Sequence, residues 1–141
     1  MAGNVLIVDD SATVRQMVRK TMLMAGLDVG EVYEASNGIE ALAQLADHCV
    51  AVIMVDINMP TMNGIQLLTR MKDNDRLKHI PIVIASTEGS QQRKDQIERF
   101  GAFGYVRKPF KPEQLRDVLR PILGVRDEPA ATARVNSDSS F

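Results

Sequence analysis

The chain has 141 residues, of which 45% are hydrophobic and 25% charged, and its formal net charge is −1. This composition is typical of one soluble globular domain and gives no general attraction to nucleic acid or to an anionic membrane. The N-terminus carries no signal-peptide pattern, and no apolar run in the sequence has the length of a membrane span. We therefore expect a soluble, cytoplasmic protein. The single cysteine, Cys49, cannot form an internal disulfide, and we expect it to pack beside a buried strand.

Short apolar runs alternate with longer amphipathic segments from the N-terminus onward. Residues 5–8 (VLIV) have the pattern of a buried strand and are followed by Asp9 and Asp10. In the next segment the apolar residues recur at helix spacing. They predict one buried helix face, made of Val14, Met17, Val18, Met22 and Ala25.

The same alternation continues along the rest of the chain. We predict, in order, a strand at 31–35, a helix from 39, an apolar strand at 51–55, a helix at 64–71, a strand at 81–85, a helix at 90–100, a strand at 102–106 and a last helix from Pro112. Such alternation predicts an α/β domain with a five-stranded parallel sheet and five helices on its two faces. We expect residues 1–124 to form this domain and residues 125–141, which lack periodicity, to form a disordered tail or linker.

Chemically active side chains follow four of the predicted strands. The first strand leads into Asp9 and Asp10, the third into Asp56, the fourth into Ser86 and the fifth into Lys108. In an open parallel sheet, ligands bind outside the carboxyl ends of the strands. Turn residues would explain one or two of these side chains, but not their presence at four strand ends.

Three carboxylates held close together repel one another unless a cation lies among them. Carboxylate and carbonyl oxygens suit Mg²⁺, and a site containing Mg²⁺ and Lys108 would attract a phosphoryl group. A carboxylate can attack phosphorus and hold it as an acyl phosphate. Asp56, on the predicted central strand, is the natural nucleophile, and Ser86 can donate a hydrogen bond to a phosphoryl oxygen.

Four segments, in this order, resemble the receiver domain of two-component response regulators of the CheY-like type. They are VLIVDDS, VIMVDINMPTMNG, PIVIAS and GYVRKPF, and the resemblance covers residues 4–123. It implies a doubly wound, flavodoxin-like sheet with the strand order 2-1-3-4-5. It also implies that Asp56 is the phosphoacceptor.

The resemblance also implies which residues bind Mg²⁺ and what role Lys108 has. Asp10, Asp56 and the backbone carbonyl of Asn58 correspond to direct Mg²⁺ ligands, and Asp9 acts mainly through water. Lys108 corresponds to the cation that binds the phosphoryl oxygens, and its bond to Pro109 is a candidate cis peptide.

The resemblance also implies which residues form a conformational switch and which tune the rate at which the phosphoryl group is hydrolysed. Ser86 corresponds to the switch hydroxyl, with serine in place of the commoner threonine, and Tyr105 to the aromatic residue that swings inward. This change couples the site to the face formed by the fourth helix, fifth strand and fifth helix. Asn58 and Glu88 occupy the positions that tune hydrolysis, and this pair is similar to that of chemotaxis members of the family.

The partners implied are a sensor histidine kinase as donor and a downstream protein, such as a flagellar switch or chemotaxis component. A phosphatase is a further candidate partner. With no output domain after residue 123, we expect the output to be protein–protein contact. The basic cluster of Arg107, Lys108 and Lys111 lacks interleaved aromatic residues, so nucleic acid is not expected. The polar fourth helix predicts a monomer in the unphosphorylated state.

Other functions stay open at this point. The domain could be a phosphorelay intermediate or a part of a larger transcriptional regulator. A Mg²⁺-dependent aspartyl-phosphate phosphohydrolase usually carries a second acid two residues after the nucleophile, where this chain has Asn58. A scaffold that never uses its phosphorylation site is a third class. His48 and His79 lack metal-ligand spacing, and we expect both at the surface, at the ends of elements.

Overall fold

A computed structural model describes residues 3–59, 61–87 and 90–126. In chain order the elements are β1 (Gly3–Val8), α1 (Ala12–Met24), β2 (Val29–Ala35), α2 (Gly38–Asp47), β3 (Val52–Asp56), α3 (Gly64–Lys72), β4 (Ile82–Ser86), α4 (Gln91–Arg99), β5 (Gly104–Arg107) and α5 (Pro112–Leu123). The predicted alternation of strand and helix is confirmed. The largest differences are in β1 and β2, which each begin two residues before the predicted strand, and in β5, which is shifted by one to two residues.

Within these residues, five strands form one sheet in the order β2-β1-β3-β4-β5, and every pairing is parallel. This confirms the predicted doubly wound fold. The inner strands are apolar because both of their faces are covered. Val52 to Val55, for example, are all at most 2% exposed.

The sheet separates two hydrophobic cores. On one face, Val18 and Met22 of α1 pack with Leu115 and Leu119 of α5. On the other face, the core includes residues of α2, α3 and α4, among them Leu45, Leu67, Leu68, Met71 and Ile97. Burial of these side chains holds the helices against the sheet and so fixes the loops that join strand ends to helix starts.

Side-chain caps define where several helices begin. The Ser11 hydroxyl accepts a hydrogen bond from the Val14 amide at the start of α1. Asn37 and Asn63 cap α2 and α3 in the same way. These caps satisfy amides that have no partner within the helix. Since each helix follows a strand end, the caps also fix the course of the chain at the carboxyl edge of the sheet.

Several expectations about surface and core are corrected. Met17, predicted on the buried face of α1, is 55% exposed, because the covered stripe of this helix is narrower than its apolar pattern. Cys49 is exposed rather than packed beside a strand, since it lies in the turn before β3. His79 is exposed as expected, but His48 is half-buried and stacks on Tyr33 with ring centroids 4.0 Å apart.

The end of the chain is described only as far as Arg126. Val125, which the sequence analysis places in the tail, forms an antiparallel bridge with Leu27, and the Arg126 amide donates to the Gly26 carbonyl at 2.6 Å. The rest of the predicted tail, residues 127–141, lies outside the described residues. Over the described part of the chain, the helices are too short or too polar to cross a membrane.

Candidate functional site

The predicted site residues meet at one edge of the sheet. Asp9 and Asp10 directly follow β1, Asp56 ends β3, Ser86 ends β4, and Lys108 directly follows β5. These four strands are successive neighbours in the sheet. The pairing register places Asp56 beside Ala85 and Ser86 beside Arg107, so these ends lie at similar heights. The structure therefore confirms that the strand order brings these residues to one edge.

The three acids form a compact cluster. One carboxylate oxygen from each of Asp9, Asp10 and Asp56 lies within 4.8 Å of the others. Asp9 is buried at 3% exposure, whereas Asp10 is exposed. Asp9 is also the most firmly held, because its amide donates to the Ala35 carbonyl at 3.0 Å and its Oδ1 accepts from the Ser11 amide at 2.9 Å.

Lys108 supplies a positive charge within this cluster. Its Nζ lies 2.6 Å from Asp9 Oδ2 and 3.5 Å from Asp56 Oδ1. Its backbone amide donates to the Ser86 carbonyl at 2.8 Å, which ties the end of β5 to the end of β4. The Lys108–Pro109 peptide is cis, as the sequence predicts. Lys108 therefore bridges two carboxylates and leaves the exposed Asp10 side of the cluster open.

Burial raises the pKa of the Asp56 carboxyl above its ordinary value. The Lys108 charge opposes this rise, and the Asp9 charge adds to it. A hydrogen bond from the Asn58 amide, 3.4 Å from Asp56 Oδ1, also favours the ionised form. The net rise in the pKa is therefore due first to burial of the carboxyl, and Lys108 and the Asn58 amide offset only part of it.

The loop after Asp56 is fixed by a close backbone contact. The Gly64 amide donates to the Ile57 carbonyl at 3.0 Å. A Cβ on Gly64 would lie 2.8 Å from the Asp56 carbonyl oxygen and 2.9 Å from the Ile57 Cα, so no larger residue fits without a shift of the backbone. Thr61, in the same loop, has a left-handed φ of 69°. This loop carries Asn58, whose side chain is exposed.

The two predicted switch residues differ in burial. Ser86 is fully buried at the end of β4. Tyr105 on β5 is half-buried and packs against the edge of the core beneath α2, α3 and α4. The Lys94 Nζ lies 5.7 Å from its ring centroid. The Tyr105 side chain thus lies on the side of the sheet that α4 covers. Glu88, the second predicted hydrolysis-tuning residue, lies outside the described residues.

A group of charged residues that was not predicted from the sequence supports the acid pair of Asp9 and Asp10. Arg15 on α1 donates from Nη1 to the Asp9 carbonyl at 2.6 Å and from Nε to Glu34 Oε1 at 2.7 Å. Arg19 donates to the second oxygen of Glu34 at 2.8 Å. Hydrogen bonds first from Arg15 and then from Arg19 lower the pKa of Glu34. No sequence motif indicates these contacts, because they depend on how α1 lies across β2.

The donor set fits a hard divalent cation. All three members of the cluster are carboxylates, which are preferred ligands of Mg²⁺ and Ca²⁺. The exposed Asp10 gives such an ion access from solvent. Burial raises the pKa of Asp56, so a cation beside this carboxylate would favour its ionised form.

Comparisons with known proteins agree with the geometry. The chemotaxis protein CheY1 of Helicobacter pylori is 37% identical over 123 residues, which cover 86% of this chain and 98% of that protein. The solved structure of the chemotaxis protein CheY4 of Vibrio cholerae is 38% identical and gives a TM-score of 0.77, covering 87% of this chain and all of that one (100%).

A more distant structure shares the fold. It is the receiver domain of a sensor histidine kinase from Pseudomonas aeruginosa, solved with a magnesium ion coordinated in its active-site cleft. It is 19% identical, with a TM-score of 0.75 over 88% of this chain and 99% of that one. The family model of the response regulator receiver domain matches residues 5–120. Together with the strand order and the acid cluster, this match shows that the chain belongs to the response regulator receiver domain family.

Proposed function

We propose that the protein is a phosphorylation-activated response regulator whose Asp56 accepts a phosphoryl group from a sensor histidine kinase. The observation that supports this most strongly is the acid cluster, with Lys108 Nζ 3.5 Å from Asp56 Oδ1. Asp56 lies at the end of an inner strand, so its carboxylate is held in place while a donor approaches from the exposed Asp10 side.

In the proposed reaction, a carboxylate oxygen of Asp56 attacks the phosphorus of the donor's phosphohistidine. The phosphorus–nitrogen bond breaks, its electron pair stays on the imidazole nitrogen, and an acyl phosphate forms on Asp56. Because the Lys108 ammonium group already lies next to the Asp56 carboxylate, it can bind the oxygens of the transferred phosphoryl group and neutralise part of their negative charge. Hydrolysis returns the free carboxylate, and we assign its tuning to Asn58 and Glu88. The catalytic contribution of the protein is limited to this transfer and to hydrolysis of the acyl phosphate, which releases inorganic phosphate.

Mg²⁺ is the cofactor that we assign to the cluster. Asp10, Asp56 and the Asn58 carbonyl would hold it directly and Asp9 through water. When bound, Mg²⁺ neutralises charge on the phosphoryl oxygens. The assignment is supported by the all-carboxylate donor set and by the exposure of Asp10, which makes the cluster accessible from solvent.

We assign the response to Ser86 and Tyr105. In this proposal the Ser86 hydroxyl moves onto the phosphoryl group, and Tyr105 moves inward to fill the vacated space. The burial of Ser86 and the half-buried position of Tyr105 support two discrete packings of these side chains. The face formed by α4, β5 and α5 would then change, and this is where we place the binding of a downstream partner.

The process is proposed from the relatives. Because the similar proteins of H. pylori and V. cholerae are chemotaxis proteins, we infer chemotaxis-type signalling in the cytoplasm, with a flagellar switch or chemotaxis component as target. A phosphatase is a further partner, and nucleic acid is not one. The polar surface of α4 supports a monomer before phosphorylation.

Intact mass after incubation with acetyl phosphate and Mg²⁺ tests the proposal. We expect a single labile phosphoryl adduct on the native chain, no adduct on Asp56→Asn, and a normal adduct on Asp117→Asn, which removes an exposed acid of α5. An adduct that persists in Asp56→Asn would place the acceptor elsewhere. If neither the native chain nor an Asn58 variant chosen for slow hydrolysis forms an adduct, the result would favour the scaffold function.

A further inference from the structure

Arg15 links α1 to β2 and to the end of β1, next to the two acids Asp9 and Asp10. It lies on α1, its Nη1 donates to the Asp9 carbonyl at 2.6 Å, and its Nε donates to Glu34 of β2 at 2.7 Å. Its side chain is 16% exposed, so these bonds are largely shielded from water. A charged donor to a backbone carbonyl in such a place is stronger than a neutral hydrogen bond.

The accepting carbonyl is the one that precedes Asp10. The Asp9 amide is already bonded to the Ala35 carbonyl of β2, and the Asp9 side chain is bonded to Lys108 and to the Ser11 amide. The hydrogen bond from Arg15 to the Asp9 carbonyl fixes the orientation of the peptide plane between Asp9 and Asp10. The Asp10 side chain is exposed, and this peptide plane sets the direction in which its Cα–Cβ bond leaves the backbone.

Glu34 in turn fixes the guanidinium group of Arg15. One Glu34 oxygen accepts from Arg15 and the other from Arg19 at 2.8 Å. The Glu34 carbonyl also accepts from the Gln44 side chain of α2 at 3.4 Å. A guanidinium group has separate nitrogens for its two partners, so Arg15 can bond Glu34 and Asp9 simultaneously, which a single lysine nitrogen cannot do in the same geometry.

We propose that Arg15 is a positioning residue for the cation site, which holds the Asp9–Asp10 peptide in the orientation that directs Asp10 toward the cluster, and that Glu34 orients Arg15 for this role. The inference rests on the proposed function only in taking the cluster as a Mg²⁺ site. Arg19 shares Glu34 with Arg15 but has no bond to the acid pair among the described contacts. It therefore provides a matched control.

The test compares Arg15→Lys with Arg19→Lys in the otherwise native chain. Mg²⁺ is titrated without any phosphoryl donor, and the dissociation constant is read from backbone amide shifts in NMR spectra. We expect Arg15→Lys to raise the constant about tenfold, as is typical when a group that orients a metal ligand is lost. We expect Arg19→Lys to leave it within about a factor of two, because a partly exposed ion pair contributes little.

The metal-free spectra give a second readout. In Arg15→Lys the amide signals of Asp10 and Ser11 should shift, whereas in Arg19→Lys the changes should be confined to α1 and β2. Equal Mg²⁺ constants for the two variants would overturn the inference, since both weaken the α1–β2 contact through Glu34.

If Arg15→Lys does not fold, Glu34→Gln replaces it, because this variant removes the orienting carboxylate and leaves Arg15 in place. A constant raised several-fold above that of Arg19→Lys supports the inference, and a constant equal to it overturns it. Failure of the proposed function would be seen separately, as the absence of an Asp56 adduct in the native chain, and it would leave these Mg²⁺ constants interpretable.

Discussion

The position of Asp56 has two opposing effects on its carboxylate. Its position at the end of an apolar strand holds the carboxylate rigidly, but the same burial raises its pKa and disfavours its charge. Lys108 compensates only part of this effect, and the neighbouring charge of Asp9 increases it. This position fits the proposed reaction of Asp56 with a phosphoryl donor better than a role in stabilising the fold, and in that proposal a cation would favour the ionised form of the carboxylate.

The pKa of Glu34 is shifted in the opposite direction, downward, and this shift predicts how the contribution of Glu34 to stability depends on pH. Bonds from Arg15 and Arg19 lower its pKa in the folded state, so its stabilising effect is present above the ordinary glutamate pKa and is lost as the pH falls through the lowered folded-state value. We expect Glu34→Gln to lower the free energy of unfolding at pH 7 by about 1 kcal/mol. Urea unfolding at pH 7 and at acid pH, compared with the native chain, measures this difference.

The difference should shrink at acid pH, where the native carboxylate is also protonated. Glu31→Gln is the control, since Glu31 is exposed on the same strand, and we expect it to change little at either pH. A loss for Glu34→Gln that stays constant down to acid pH would contradict the assigned role of its charge.

At the scale of elements, α2 and α3 begin in the same way but tolerate change differently. Each starts with a glycine that follows an asparagine cap, Gly38 after Asn37 and Gly64 after Asn63. A Cβ on Gly64 would meet backbone atoms of Asp56 and Ile57. A Cβ on Gly38 would meet only side-chain atoms, with Met62 Cγ and Sδ at 2.6 Å and Met62 Cβ at 2.8 Å, so its relief requires a shift of Met62 rather than of the Asp56 backbone.

We therefore expect Gly64→Ala to be the more damaging of the two substitutions. It should lower the free energy of unfolding by about 1–3 kcal/mol, the usual effect of overpacking, and slow phosphorylation of Asp56, because the backbone of the active-site loop must move. Gly38→Ala should also lower the free energy of unfolding, because Met62 must shift, but it should slow phosphorylation less than Gly64→Ala does. Urea unfolding and adduct formation with acetyl phosphate measure both, and the reverse order would show that the loop after β3 is not the rigid part of the site.

At the scale of the whole molecule, the acid cluster joins β1, β3 and, through Lys108, the end of β5. A cation bound there contacts the folded chain only, because the unfolded chain does not bring the three acids together. We expect Mg²⁺ at about ten times its dissociation constant to raise the free energy of unfolding by about 1.4 kcal/mol and to raise the melting temperature by a few degrees. Chelation with EDTA should reverse this gain.

Thermal unfolding measures the effect, with NaCl at equal ionic strength as the control for screening. Asp56→Asn should gain markedly less from Mg²⁺ than the native chain, since it removes one of the charged donors. An equal gain in NaCl, or in Asp56→Asn, would contradict specific binding at the cluster.

Much of the architecture could be predicted from the residues themselves. Apolar runs such as residues 52–55 are buried on both faces, and helix-period segments lie between them, so local pattern predicted the elements. The site could be predicted as well, because parallel strands deliver their end residues to one edge, and Asp9, Asp56 and Lys108 do meet there. The assignments of individual roles within the site remain predictions that the experiments above test.

Other features depended on contacts between residues far apart in sequence. The pattern on α1 predicted that Met17 is buried, but it is 55% exposed, because the position of α5 decides which part of α1 is covered. The bonds of Arg15 to Asp9 and Glu34 required both the register of β2 beside β1 and the orientation of α1 across them. Local patterns of residues are enough to predict which segments form strands and which acids follow them. The pairing of each cation with its acid follows from the packing of the elements, because charges far apart along the chain interact only once packing has fixed their distances.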